Sequence, residues 1–309
     1  MGRLVDGKWT KMSIIRSDKG GAYDRIPRSF RNQIASEQPV FKPESNRYHL
    51  YVSYACPWAH RTLIMRKLKS LQEHISVSVV HPYMLEKGWA FGKDFIGTTG
   101  DDLFDFDHLS QVYTLSDPKI STSVTVPVLW DKQSKQIVNN ESSDIIRIFN
   151  VAFNNITSNT ENYYPQALQE EIDVWNDYIY ENLNNGVYRC GFAKSQAAYE
   201  QACSNLFKVL EKLDGHLSNN EYLVGSELTE ADIRLIPTLL RFDLVYYHHF
   251  KCSKKPLVDF KYLYQYAKRL YAMPAINGTT NFEHIKHHYY YSHEEINPTR
   301  IVPIIDSTF

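Results

Sequence analysis

Apolar and polar positions follow two different periods along the chain, and the change of period divides it. The run 48–54 (Tyr-His-Leu-Tyr-Val-Ser-Tyr) is β-rich, and Leu63, Ile64, Met65 and Leu68 then recur at helical spacing. A strand should therefore feed a helix over about 57–70. The alternation at 75–80 (Ile-Ser-Val-Ser-Val-Val) predicts a second strand. Segments 124–130 and 135–138 predict a hairpin closed by the polar turn 131–134. Glu141-Ser-Ser-Asp144 opens a helix with apolar positions at Ile145, Ile146, Ile148 and Phe149. A proline ahead of Val128 is unusual in a good strand, and a cis Val126–Pro127 bond is expected. Residues 82–116 interrupt this pattern with an acidic-aromatic run, 101–107, that reads as a solvated loop.

Beyond residue 165 the period is helical throughout, with windows at about 166–183, 194–217, 229–247, 260–273 and 278–288. Thr229-Glu-Ala-Asp232 resembles a capping box. The tail past His293, with Pro298 and Pro303, should be extended. Residues 1–46 read as an irregular polar extension. Within it, 19–25 (Lys-Gly-Gly-Ala-Tyr-Asp-Arg) reads as a loop rather than a phosphate cradle, because no helix pattern follows the glycines. The divisions are an extension at 1–46, a domain at 47–150, an Asn/Thr/Ser-rich linker at 151–165 and a helical domain with a tail at 166–309. The order β-α-β, hairpin, helix is that of a thioredoxin-like domain, so the fold class is α/β followed by all-α.

Composition excludes more than it selects. With 34 Lys+Arg against 35 Asp+Glu, the formal net charge is -1. That balance gives no electrostatic reason to expect nucleic acid or an anionic membrane as partner. No apolar run approaches membrane-spanning length, the N-terminus lacks an apolar signal core, and Asp6 breaks the myristoylation pattern. The four cysteines, Cys56, Cys190, Cys203 and Cys252, show neither disulfide-framework nor zinc-ligand spacing. A soluble cytoplasmic protein in a reducing compartment is expected.

The chemistry concentrates at Cys56-Pro57-Trp58-Ala59-His60-Arg61. Proline favours the first helical position, which places Cys56 at or near the N-cap. There the unpaired amides and the positive end of the helix dipole favour thiolate over thiol, and Arg61 would add positive charge. A lone cysteine also reads as a small buried hydrophobe; the strand–Cys-Pro–helix setting favours the nucleophile. Ala59 stands where a resolving cysteine would, so a redox cycle needs an external thiol. Cys190, Cys203 and Cys252 lack this setting and read as structural or surface thiols. His284 and His288 have zinc-ligand spacing, but no third ligand motif accompanies them.

Cys-Pro-x-Ala, a Val-Pro strand, Glu-Ser opening a helix, and an all-helical second half resemble the cytosolic glutathione transferases of omega-like type. The fuller set resembles the Xi class, the glutathionyl-hydroquinone reductases: Gly88-Trp89, the 125–131 run Thr-Val-Pro-Val-Leu-Trp-Asp, Asn140-Glu141-Ser142, Asn185-Gly186-Val187-Tyr188, Arg241-Phe242-Asp243 and Ile296-Asn297-Pro298-Thr299. The resemblance implies that Cys56 is the nucleophile and that glutathione is the co-substrate. It places glutathione against Trp89 and the segment Ser123, Val124, Thr125, Val126, with Glu141 and Ser142 on the γ-glutamyl end. It makes Tyr188 the proton donor or acceptor for an aromatic substrate, and has Tyr246 and Tyr289 favour the thiolate. It also implies a homodimer. One departure stands out: many members carry Gly-Arg ahead of Val-Thr-Val-Pro, and here that place reads Thr122-Ser123, so the arginine's contact is lost or supplied by another residue. From the residues alone, Trp89 also reads as a core aromatic, Glu141-Ser142 as a plain helix cap, and the three tyrosines as packing. The activity implied is reduction of S-glutathionyl-hydroquinones through a mixed disulfide. The alternatives are an omega-type thioltransferase or dehydroascorbate reductase, and a non-catalytic binding module.

Overall fold

The computed structural model describes residues 2–12, 16–18, 20–24 and 28–309; of the loop singled out at 19–25, Lys19 and Arg25 lie outside the described residues. The chain divides into two compact units. One comprises Met1–Ile14, Ile26–Glu161 and Glu283–His288, and the other Ile15–Arg25, Asn162–Phe282 and Tyr289–Phe309.

The first unit opens with a hairpin, β1 (Gly2–Val5) and β2 (Lys8–Lys11), where an irregular extension was expected. The signal is Asp6-Gly7, both at positive φ (47° and 72°), a pair that closes tight antiparallel hairpins. Leu4 bridges to Thr122, and the Trp9 indole donates to the Glu86 carbonyl at 2.9 Å. The Trp9 ring passes so near Gly88 that a Cβ there would meet it at 2.7 Å. In the second unit two short strands, β3 (Arg16–Ser17) and β4 (Tyr23–Asp24), pair antiparallel.

The central sheet of the first unit is built from β5 (Tyr48–Val52), β6 (Ile75–Val79), β7 (Val128–Asp131) and β8 (Gln136–Asn139), in the order β6-β5-β7-β8. β5 runs parallel to β6 and antiparallel to β7, with Leu50 opposite both Val77 and Leu129. All five residues of β5 are buried, as a strand covered on both faces should be. Helix α1 (Pro57–Leu68) connects β5 to β6. Between β6 and β7 lies α2 (Leu109–Ser116), inside the stretch expected to be irregular. Its core positions, Leu109, Val112 and Tyr113, keep helical spacing, but its N-cap is His108, a weak start signal beside Ser, Thr or Asp.

The acidic run is not solvated throughout. Asp101 is buried and accepts from the Tyr51 hydroxyl and from the amides of Leu103 and Phe106. Burial first, and then Asp101, push the Tyr51 phenol well above its ordinary value. The Val126–Pro127 peptide is cis. Helix α3 (Ser142–Val151) packs on α1, and the stretch expected to be a linker contains a short helix, α4 (Asn154–Thr157). That stretch is tied down: the buried Lys69 ammonium donates to the carbonyls of Asn159 and Glu161, and Asn159 Nδ2 donates to the Leu68 carbonyl.

The second unit is helical. Helix α5 (Gln169–Ile179) runs into one wide π turn, Tyr180–Asn184, before α6 (Gly186–Gly191). The helix α7 (Gln196–Leu217) follows, then α8 (Glu230–Arg241), which passes into a second π turn, Phe242–Tyr246. Helices α9 (Lys261–Tyr271), α10 (Pro274–Asn277) and α11 (Phe282–Ser292) complete the order. The Thr229/Asp232 capping box is present, and buried Asp232 also accepts from the Leu223 amide and the Tyr266 hydroxyl. No described helix is long and apolar enough to cross a membrane.

Candidate active site

The candidate residues form two groups, one in each unit. In the first unit, Cys56 is the N-cap of α1 with extended backbone (φ -77°, ψ 120°), followed directly by Pro57. Pro57 brings no N–H, so the amides of Trp58 and Ala59 remain the first donors without an intrahelical acceptor. The half-buried Cys56 thiol donates to the Val126 carbonyl, Sγ to O 3.6 Å, and so meets the cis peptide. Arg61, expected beside the thiol, is buried with its guanidinium over the Trp58 ring, 4.6 Å from the centroid.

The backbone ahead of the cis peptide is held by a residue that the linear pattern did not single out. The Tyr113 hydroxyl donates to the Thr125 carbonyl (2.8 Å) and accepts from the Thr125 amide (3.2 Å) and from Asn140 Nδ2 (3.1 Å). One donor and two acceptor sites exhaust a phenol's capacity. Asn140 in turn accepts from the Phe30 amide. Val124 and Val126 are buried here, and buried Ser123 Oγ has no hydrogen-bond partner among the described residues.

Next along the chain, Glu141 caps α3. Its side chain accepts from the Ser143 amide at 3.2 Å and from the hydroxyls of Ser142 and Ser143, both at 3.3 Å. A carboxylate and a hydroxyl therefore stand together at a helix N-terminus, where a ligand's ammonium and carboxylate find complementary charge. Trp89 is 6% exposed, its indole stacked on the His288 ring at 4.8 Å between centroids. The histidines near it serve backbone and phenol partners. His284 Nε2 bonds the Ile96 carbonyl, His288 Nδ1 the Pro82 carbonyl, and His287 Nδ1 the Tyr83 hydroxyl.

In the second unit the three tyrosines converge. The Tyr289 hydroxyl lies 2.7 Å from the Tyr188 hydroxyl and 3.0 Å from that of Tyr246, so it links the other two. Tyr246 and Tyr289 are buried and Tyr188 is half-buried. Burial, reinforced by Tyr188 and Tyr246, pushes the Tyr289 phenol far above its ordinary value, with buried Arg241 pulling the other way. Tyr289 thus holds its proton and can hand one on only as it receives one. The backbone accounts for the convergence. Tyr246 is the last residue of one π turn, and the other π turn immediately precedes α6, which carries Tyr188. A π turn rotates the residues after it relative to a regular helix, and such turns recur at functional sites. Tyr188 also packs against Tyr23, Phe192 and Phe250. At Gly191 the Phe250 ring lies so near that a Cβ would meet it at 2.4 Å.

Comparison with known proteins gives consistent matches over both units. The family model described as the glutathione S-transferase N-terminal domain matches residues 55–151, and that of the C-terminal domain matches residues 196–269. The chain is 50% identical to the glutathionyl-hydroquinone reductase YqjG of Escherichia coli strain K12, over 98% of this chain and 95% of that protein. The Xi glutathione-S-transferase from Phanerochaete chrysosporium superposes with a TM-score of 0.92 at 48% identity, over 94% of this chain and 95% of its own. The glutathione-bound structure of Escherichia coli YqjG superposes with a TM-score of 0.89 at 49% identity, over 98% of this chain and 95% of its own.

Proposed function

The chain belongs to the Xi class of glutathione transferases, the family of the glutathionyl-hydroquinone reductases, and from that premise we propose that it reduces S-glutathionyl-hydroquinones to hydroquinones with glutathione as co-substrate. The observation that carries the reading is Cys56: an N-cap thiol at the start of α1, half-buried and against the cis Val126–Pro127 peptide.

The Cys56 thiolate attacks the sulfur of the glutathionyl-hydroquinone. A Cys56–glutathione disulfide forms, the bond from sulfur to the ring carbon breaks, and the ring carbon keeps the electron pair and takes up a proton. Tyr188 supplies that proton, and Tyr289 and Tyr246 replenish it along their hydroxyl chain. A second glutathione then attacks the mixed disulfide, releasing glutathione disulfide and regenerating Cys56. Ala59, in place of a resolving cysteine, makes that second molecule obligatory.

Glutathione is held by Trp89, by the Ser123, Val124, Thr125, Val126 segment, and by Glu141 and Ser142 at the start of α3. The unpartnered Ser123 hydroxyl supports this assignment, since a bound peptide would supply the partner it lacks. The reading includes a cytoplasmic homodimer. Family membership supports the pairing, and a thiol that depends on external glutathione suits a reducing compartment. Light scattering on the purified protein tests the dimer.

Turnover of a glutathionylated hydroquinone by wild type, Cys56→Ser and Tyr188→Phe tests the mechanism. Wild type should release hydroquinone with ping-pong kinetics, Cys56→Ser none, and Tyr188→Phe little. Disulfide exchange without hydroquinone release in wild type would replace this reading with an omega-type thioltransferase. No thiol chemistry in any form would make the chain a binding module.

A further inference from the structure

The segment after β6 that carries Trp89 is held at three successive residues, all in the first unit. His81 Nδ1 accepts from the Tyr83 amide at 3.0 Å and closes a short turn. The Pro82 carbonyl accepts from His288 Nδ1 on α11 at 2.8 Å, and the Tyr83 hydroxyl meets His287 Nδ1 at 2.8 Å. The His81 amide in turn donates to the carbonyl of Ala90, next to Trp89, at 2.8 Å. His288 completes the circuit, since its ring lies on the Trp89 indole with 23° between the planes. His81, His288 and Trp89 are all more than nine-tenths buried.

These bonds fix where the protons stand. A carbonyl only accepts, so His288 Nδ1 carries a hydrogen. A backbone amide only donates, so His81 Nδ1 carries none. Neutral His81 therefore has its hydrogen on Nε2, which lies 3.5 Å from the exposed carboxylate of Asp94. A cationic His81 would set a second N–H against the Tyr83 amide, and the turn would open.

We propose that His81 and His288 are positioning residues for Trp89: His288 sets the indole through its stacked ring, and His81, as a neutral imidazole, holds the turn whose carbonyl orients His288. The inference rests on the assignment of Trp89 to glutathione. It makes glutathione binding sensitive to acid through a group that takes no part in the thiol exchange.

The surroundings of His81 favour the neutral ring. Its titratable and charged neighbours come from its own loop (Glu86, Lys87 and Asp94), from the N-cap of α2 (His108) and from α11 (His284 and His287). Burial lowers its pKa from the ordinary 6.5; Asp94 opposes that shift and His287 adds to it. A cavity of about 490 Å³ opens on His81 beside Asp94 and His108, so solvent protons reach the ring. As pH falls through the lowered value, His81 takes up a proton and the Tyr83 bond is lost. The Pro82 carbonyl then shifts under His288, and the indole loses its support. Glutathione affinity should drop about tenfold, the net worth of one hydrogen bond.

The test uses S-methylglutathione, a thioether that neither titrates at sulfur nor forms a mixed disulfide. Its binding is measured by calorimetry at about pH 7.5 and about pH 5, on either side of the histidine range. Wild type should bind about tenfold more weakly in acid, and His288→Leu about tenfold more weakly than wild type at both values. His81→Asn places an amide oxygen where Nδ1 stands, an acceptor for the amide two residues on, with no proton to gain. It should match wild type near neutrality and lose no affinity in acid. Fluorescence of Trp89, isolated by difference from Trp89→Ala, should change with pH in wild type, stay constant in His81→Asn and be altered at both values in His288→Leu. Affinity that is flat with pH in wild type, an equal acid loss in His81→Asn, or a Trp89 signal unmoved in His288→Leu overturns the proposal. If Trp89→Ala binds S-methylglutathione as tightly as wild type, the assignment of Trp89 to glutathione fails, and the Trp89 fluorescence still decides whether the two histidines position it.

Discussion

Replacing Tyr113 by phenylalanine removes one oxygen atom and with it three hydrogen bonds. Two of them hold the amide and carbonyl of Thr125, and the third satisfies the buried Asn140 side chain. The ring itself is fully buried and stays packed edge-on to Phe30, so no cavity larger than a hydroxyl opens. The cost is therefore that of orphaned donors and acceptor. A buried group left unpaired costs about 1–3 kcal/mol, and for the Asn140 amide and the half-buried Thr125 backbone together about 2–4 kcal/mol is expected. For a chain of this size that lowers the melting temperature by about 5–10 °C. Thr125 lies in the segment proposed to hold glutathione, next to Val126, so loosening it should also raise the KM for glutathione. About tenfold is expected, roughly 1.4 kcal/mol, with kcat for hydroquinone release little changed. Calorimetry and steady-state kinetics on the two proteins read both numbers. A melting temperature within about 1 °C of wild type would show that water replaces the hydroxyl at little cost, and would refute the bookkeeping of donors. A loss of kcat with KM unchanged would refute the positioning role.

Three further outcomes follow from other groups. Tyr289→Phe breaks the hydroxyl chain from Tyr246 to Tyr188, so hydroquinone release should fall about 10²-fold while exchange with a simple disulfide persists; parallel assays with the two substrates decide it. Asp131 is fully buried, and although burial raises its pKa, Arg47, Ser134 and the Gln133 amide together lower it below the ordinary 3.8. Its contribution is accordingly present above that value and lost as pH falls through the lowered one, so Asp131→Asn should cost about 3 kcal/mol at pH 7 and lessen the loss of stability in acid below about pH 4, as urea titrations would show. His49 is lowered to about 3, by burial first and then by Lys132 and Arg66. The unfolded chain takes up this proton below about 6.5 while the folded one stays neutral, so stability should fall by roughly 1.4 kcal/mol for each pH unit between about 6 and 3. His49→Gln should flatten that slope in urea titrations.

Much of this molecule could be read from its residues in line. Strand, Cys-Pro and helix around Cys56, the Val-Pro turn, the Glu141 start of α3 and the helical second half are local signals, written in period, proline placement and capping residues within a few positions of where they act. The hairpin at Asp6-Gly7 was equally local, and its turn chemistry was simply outweighed by the polar composition around it. Other features have no local signature. Whether Asp101 is solvated depends on Tyr51, fifty positions away, offering a hydroxyl. Tyr113 becomes the clasp of the cis-proline segment only because α2 is brought against residues 125 and 140. The meeting of Tyr188, Tyr246 and Tyr289 depends on how far each helix is rotated, and the two π turns that accompany the tyrosines follow from the balance of packing rather than from any one residue. Periodicity and caps act over a turn or two of chain, so sequence alone determined the elements around Cys56 and the thiol they present. Which side chains come within 3 Å of one another is settled by the burial of many apolar faces at once, and that only the tertiary structure decided.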